Sequence, residues 1–130
     1  HIPEGDGILI GLLILELISE NGIPIHNLIN DLLDQFGPIE YTRTDLRLNN
    51  SIEKNVLVNN LFNNAPDQIK HLKVMDIQTN DGIKYLMEND NWLLIRPSGT
   101  EPVLRIYAEG RSDEDVKALI AYGHKIAEQY

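Results

Sequence analysis

One short stretch of this sequence concentrates groups able to hold an anion: Arg96-Pro97-Ser98-Gly99-Thr100-Glu101-Pro102, followed three residues later by Arg105. Two guanidinium groups offer planar, permanently charged forks, each able to grip two phosphate oxygens at once. Ser98 and Thr100 add hydroxyl donors. Gly99 allows close backbone approach or a positive φ, and the successive N–H groups of Ser98, Gly99 and Thr100 suit an anion nest. Pro97 and Pro102 stiffen both ends and lower the ordering cost of binding. The same residues also spell a tight hairpin turn with surface arginines, since Ser, Gly and Thr are common turn residues. Type and spacing alone leave both readings open. Glu101 is expected to orient the loop rather than touch an anion, because a carboxylate beside a phosphate repels it.

The elements around this loop decide whether its arginines converge. Trp92 to Arg96 and Val103 to Glu109 read as strands flanking it. On the second of these, Arg105 shares a face with Val103 and Tyr107, while Leu104, Ile106 and Ala108 point the other way. On the first, Arg96, Leu94 and Trp92 lie opposite Leu93 and Ile95. If the apolar sets face a helical layer, both arginines stand clear of the core on one side. Trp92 and Leu94 then share the arginine face, where they pack against other domains or close the bare side of the sheet.

Further strands are expected at Ile39 to Leu48, Leu72 to Gln78 and Ile83 to Glu88. Asn80-Asp81-Gly82 is a turn signal between the last two. Ser51 is expected to cap a helix reaching Asn63, with Val58, Leu61 and Phe62 on its inner face. Ser112, with Asp115 three residues on, resembles a capping box. It opens a final helix striped by Val116, Leu119, Ile120, Gly123 and Ile126. The run Asp113-Glu114-Asp115 supplies first-turn acids that complement the helix dipole. The order β-α-β-β-β-β-α predicts an α+β fold, an antiparallel sheet of about four to five strands with helices on one face.

Ahead of this, residues 1–36 form a helical segment. Asp6 is expected to cap a helix from Gly7 to Glu20 that is apolar nearly all round. A helix of that kind is normally buried, so self-association through residues 7–20 is expected where no other partner covers it. The run is too short for a spanning helix, which needs about 20 residues. Asn21-Gly22 ends it, Pro24 suits the first turn of a second helix, and Gly37-Pro38 stops that one. The domain division is therefore 1–36 and 37–130.

The whole chain has 130 residues with 11 Lys and Arg against 20 Asp and Glu, a formal charge of −9. That acidity repels nucleic acid and anionic membranes, so any phosphate site must be a local basic patch. There is no cysteine and no leader-like segment, which favours a reducing, cytoplasmic setting. The chain opens at His1 without an initiating Met, as expected for a piece of a longer protein. His26, His71 and His124 show no metal-ligand spacing and are expected at the surface. Asp6 alone does not make a divalent-cation site.

The stretch from Arg96 to Glu109 resembles the signature of the last domain of the phosphohexomutases, the phosphoglucomutase/phosphomannomutase family. Gly5-Asp6-Gly7-Ile8-Leu9 resembles the start of the last helix of that family's third domain, and Asp81-Gly82-Ile83 before Trp92 matches its spacing. The resemblance implies a TATA-binding-protein-like sheet in the fourth domain. It implies that Arg96, Ser98, Gly99, Thr100 and Arg105 bind the phosphate of the sugar phosphate that is not reacting. His1 would stand just after the third domain's sugar-recognition loop. The phosphoserine loop and the aspartate-rich magnesium loop are absent here, so no catalytic residue and no metal ligand is expected in this segment. Magnesium belongs to the intact enzyme, and this chain alone should be inactive. The expected partners are a hexose 1-phosphate or 6-phosphate and the remaining domains. A phosphoglucosamine mutase domain, or a stand-alone phosphosugar-binding module, is the alternative.

Overall fold

The computed structural model describes residues 5–130, so the expectation for His1 lies outside the described residues. The chain divides into two compact units, one ending at Gly37 and the other running from Pro38 to Tyr130.

In the first unit, α1 spans Gly7–Asn21 and α2 spans Ile25–Phe36. The Asp6 carboxylate accepts the amides of Ile8 and Leu9, both at 3.0 Å, and so satisfies two of the donors a helix start leaves open. Gly22 takes the left-handed conformation at φ 66° and returns its amide to the Ile18 carbonyl. Pro24 stands just before the second helix, at its cap, and the Gly37 amide closes that helix on Leu33. No described residue of either helix is buried. The two helices meet at 88°, and no single helix among the described residues is long and apolar enough to cross a membrane.

The second unit is one six-stranded sheet with two helices. Its strands are β1 (Glu40–Arg47), β2 (Gln68–Ile69), β3 (Leu72–Gln78), β4 (Ile83–Met87), β5 (Trp92–Pro97) and β6 (Val103–Gly110), with α3 at Lys54–Asn63 and α4 at Asp113–Ala127. The sheet order is β1-β6-β5-β4-β3-β2, antiparallel throughout. The strand count exceeds the expected four to five because β2 has only two residues, too few to show a period of two.

Alternation sorts the two faces as expected. Ile83, Tyr85, Leu93, Ile95, Leu104, Ile106 and Ala108 are fully buried and join Leu57, Leu61, Val116, Leu119 and Ile126 from the helices in one core. The Tyr85 hydroxyl, inside that core, donates to the Leu61 carbonyl at 3.1 Å, and burial pushes its pKa up. Within this unit, both α3 and α4 pack on the core face and neither lies on the opposite one.

Two details of α3 differ from expectation. It begins at Lys54 and its cap is Glu53, not Ser51: the Glu53 carboxylate accepts the amides of Asn55 and Val56. Its buried stripe is Leu57, Val58 and Leu61, and Phe62 remains exposed. The stripe centres on the i, i+4 pair Leu57 and Leu61, which leaves Phe62 at its margin. The final helix is capped as expected. The Ser112 hydroxyl accepts the Asp115 amide at 3.1 Å and donates to the Asp115 carboxylate at 2.8 Å.

Candidate functional site

The hairpin between β5 and β6 carries the loop. Arg96 and Arg105 are register partners, directly opposite one another, and both project from the helix-free face. Beyond them the Ser98 amide donates to the Val103 carbonyl at 2.8 Å and closes the hairpin. That bond removes Ser98 from the expected nest of three amides, leaving its hydroxyl. Among the described residues the amides of Gly99 and Thr100 make no backbone hydrogen bond, and an added Cβ at Gly99 would meet nothing within 4 Å. Gly99 is not among the residues with positive φ, so its contribution is open approach, not unusual conformation. The Val103 amide donates to the Glu101 carbonyl, and the Leu48 amide, just past β1, donates to that of Pro102.

Like charges placed opposite each other across a strand pair repel. Here each arginine has its own aspartate, and each aspartate has a second cation. Asp81, in the β3–β4 turn, accepts a hydrogen bond from Arg96 Nη1 and another from Lys54 Nζ at 3.0 Å. Asp45, opposite Arg105 on β1, accepts a two-pronged contact from Arg43, with Nε to Oδ1 at 2.8 Å and Nη2 to Oδ2 at 2.6 Å. Its Oδ2 also lies 3.8 Å from Arg105 Nε, an ion pair too long for a hydrogen bond, and that buried Nε has no hydrogen-bond partner among the described residues.

Two relays thus flank the loop, Lys54–Asp81–Arg96 and Arg43–Asp45–Arg105. The Lys54 and Arg96 hydrogen bonds hold the Asp81 carboxyl below the usual carboxylate range. Arg43 does the same, more directly, for Asp45. Tyr107 first, then Asp81, pushes the Arg96 guanidinium further up, and the Tyr107 ring also lies within cation–π reach of Arg96 at 5.8 Å and Arg43 at 5.3 Å. Trp92 and Leu94 share the arginine face. Trp92 has Lys84 4.0 Å above its ring and donates Nε1–H to Glu109.

The loop, the β3–β4 turn and the start of α3 enclose a concavity of about 460 Å³, into which Ser98, Gly99, Thr100, Arg96, Arg105 and Lys54 all contribute. Three carboxylates line it: Asp81 bridges two cations, Glu53 caps α3, and Glu101, in the loop itself, is exposed. Because Glu53 occupies the helix N-terminus, the backbone donors for a bound anion come from the hairpin and not from the start of α3. The structure brings together all five residues singled out in the sequence. Sequence reasoning missed Lys54, Asp45 and Arg43 and read Asp81 only as a turn residue. Arg43 and Asp45 carried a faint signal, as alternate residues of a strand. Lys54 carried none, since only the tertiary fold sets α3 beside the β3–β4 turn. Of the histidines, His71 is tied to Asp115 at 2.8 Å. Among the described residues no group of three or more His, Cys, Asp or Glu side chains is placed to hold a metal.

Residues 53–122 match the family model of the phosphoglucomutase/phosphomannomutase C-terminal domain. The chain is 36% identical over 116 residues to a protein from Methanosphaera stadtmanae named probable phosphoglucosamine mutase, covering 88% of this chain and 24% of that protein. It is 29% identical over 129 residues to the phosphoglucosamine mutase of Methanocaldococcus jannaschii, covering 95% of this chain and 25% of the relative. A phosphoglucomutase/phosphomannomutase from Thermococcus kodakarensis is 37% identical over 62 residues, 48% of this chain and 13% of that protein. The chain spans about a quarter of the length of the curated relatives it matches over most of its own. An antiparallel sheet with helices on one face, an arginine-flanked hairpin loop between two of its interior strands and a family match across most of that domain lead to one assignment: this chain belongs to the phosphoglucomutase/phosphomannomutase family and carries its C-terminal domain.

Proposed function

We propose that the Arg96–Arg105 hairpin binds the phosphate of a hexose phosphate in an enzyme that moves a phosphoryl group between the 1- and 6-positions of the sugar. The observation that carries this reading is the cross-strand pairing of Arg96 with Arg105. Two cations are held face to face, against their mutual repulsion, beside a loop with unpaired amides and two hydroxyls. A phosphate dianion is the ligand whose charge and oxygen geometry fit that arrangement. The names of the relatives favour glucosamine phosphate as the sugar, with glucose and mannose phosphates as the second reading.

In this proposal the unit ending at Gly37 is the last part of the preceding domain. Phosphoryl transfer relies on positioning plus a nucleophile and metal. The described residues offer no cluster suited to magnesium, so the ion's ligands and the phosphoserine are assigned to the rest of the enzyme. What this chain's residues do is orient: the arginines fix the far phosphate, so the opposite end of the sugar meets the reacting group in one of two directions.

The test is titration with inorganic phosphate followed by amide chemical shifts. The site is open on one side, so a dissociation constant of about 1 mM, or −4 kcal/mol, is expected, weakening with added salt. Shifts should concentrate at Ser98 to Thr100 and fall sharply in Arg105→Ala. Shifts spread evenly over His26, His71 and His124 would reduce the loop to a turn. A coupled assay of the same protein with glucosamine 1-phosphate and magnesium should show no turnover.

A further inference from the structure

We infer that Lys54 is a further ligand of the phosphate in this site and that Asp81 is the residue that positions it. The inference rests on the phosphate-binding reading above and deepens it. Lys54 is the first residue of α3, an element remote in sequence from the hairpin, yet its ammonium shares one carboxylate with Arg96. A point 3.0 Å from Asp81 Oδ1 and a guanidinium on Asp81 Oδ2 put two cations on the two oxygens of a single carboxylate, at the wall of the same concavity.

A free lysine on an exposed helix start samples many rotamers, and binding costs the loss of that freedom. The Asp81 bridge removes part of that cost beforehand. Ammonium carries three donors and guanidinium five, so one bond from each to Asp81 leaves the others for an incoming anion. The Asp81 turn is itself fixed. Gly82, at φ 92°, packs so closely on β5 that an added Cβ would sit 2.5 Å from both Arg96 Cβ and the Ile95 carbonyl oxygen. The carboxylate therefore arrives at Arg96 from a rigid turn rather than a mobile loop. Its depressed pKa keeps it charged wherever phosphate is a dianion.

Two simple accounts make opposite predictions, which makes the inference sharp. If charge alone mattered, removing the Asp81 carboxylate would tighten phosphate binding. If Asp81 positions Lys54 and Arg96, removing its charge weakens binding although the protein becomes less acidic. The experiment measures inorganic phosphate affinity by amide shifts for the wild type, Lys54→Met, Lys54→Gln, Asp81→Asn and Lys117→Met. Among the described residues Lys117 pairs with Asp113, one turn away on the exposed face of α4, and serves as the charge control.

Lys54→Met and Lys54→Gln are expected to weaken binding about three- to tenfold, Asp81→Asn about threefold, and Lys117→Met negligibly. The amide spectra outside the concavity should stay unchanged, because Lys54 and Asp81 are both substantially exposed. Tighter or equal binding in Asp81→Asn, or a Lys54 effect no larger than that of Lys117→Met, overturns the inference while leaving the loop assignment intact. Absence of shifts at Ser98 to Thr100 in the wild type overturns the loop assignment, and this inference with it.

Discussion

Asp45 and Asp81 hold the arginine pair in place, and their ionisation ties the site to pH. Both carboxyls sit below their ordinary range in the folded chain, Asp45 chiefly through Arg43 and Asp81 through Lys54 and Arg96. A depressed folded-state pKa means the unfolded chain binds the proton first as pH falls. The stabilisation is therefore complete above the ordinary aspartate pKa of about 3.9 and is lost as pH drops below it, through the folded values. Denaturant midpoints measured from pH 6 down to pH 2 should fall less steeply in the double variant Asp45→Asn, Asp81→Asn than in the wild type. Both pairs are exposed, so the difference should be small and should shrink in salt. Gly82 is the neighbouring residue with no tolerance. Gly82→Ala must accept both the positive φ and the collision with Arg96, and is expected to cost about 2–4 kcal/mol. Thermal unfolding would measure it, and phosphate affinity should drop in the protein that still folds, since the collision displaces Arg96 itself.

At the level of elements, α4 packs closely on β6. Gly123 faces Ile106 so closely that an added Cβ would lie 2.6 Å from Ile106 Cγ2 and 2.9 Å from its Cδ1. Gly123→Ala should therefore lift α4 from β6 and destabilise the domain by about 1–3 kcal/mol, read as a lowered denaturant midpoint. Companion shortening of Ile106 to Val should recover part of the loss. The elements were legible in the sequence wherever one face met water and the other the core. In β5 and β6 the alternation of Leu93, Ile95, Leu104 and Ile106 with the two arginines places both guanidinium groups on the outer face, although Trp92, Leu94 and Val103 share that face. Ser112 and Asp6 were readable as caps because their side chains act within three residues. Glu53 displaced Ser51 as the α3 cap because the helix starts two residues later than expected, where a glutamate carboxylate reaches the Asn55 and Val56 amides, and cap preference is a tendency among short polar residues, not a rule. β2 escaped because two residues have no pattern. The ion bridges escaped because Lys54 meets Asp81, and Arg43 and Asp45 meet the hairpin, only after the sheet has closed.

For the molecule as a whole, the contrast between its two units sets its behaviour in solution. In the unit ending at Gly37, Ile8 is 80% exposed and Leu15 63%, while the other unit has a continuous core. Covering a Leu or Ile side chain contributes about 1.5–3 kcal/mol, so α1 is expected to find a partner surface. Light scattering over a range of concentrations should show growth in mass, and Leu12→Glu with Leu15→Glu should suppress it without moving the unfolding transition of the Pro38–Tyr130 unit. The order of strands has a different consequence, for the time course of folding. Every neighbouring pair from β2 to β6 is adjacent in sequence, whereas β1 pairs with β6 across the rest of the domain, Arg47 against Val103. Hairpins close quickly, and distant pairings wait on the entropy of a long loop. The zipped β2–β6 meander is therefore expected to form first, with Arg96 and Arg105 already opposed but without Asp45 between Arg105 and Arg43. Until the edge strand docks, the hairpin carries its repulsion uncompensated at that side, and a multivalent anion in the refolding buffer can stand in for the missing strand.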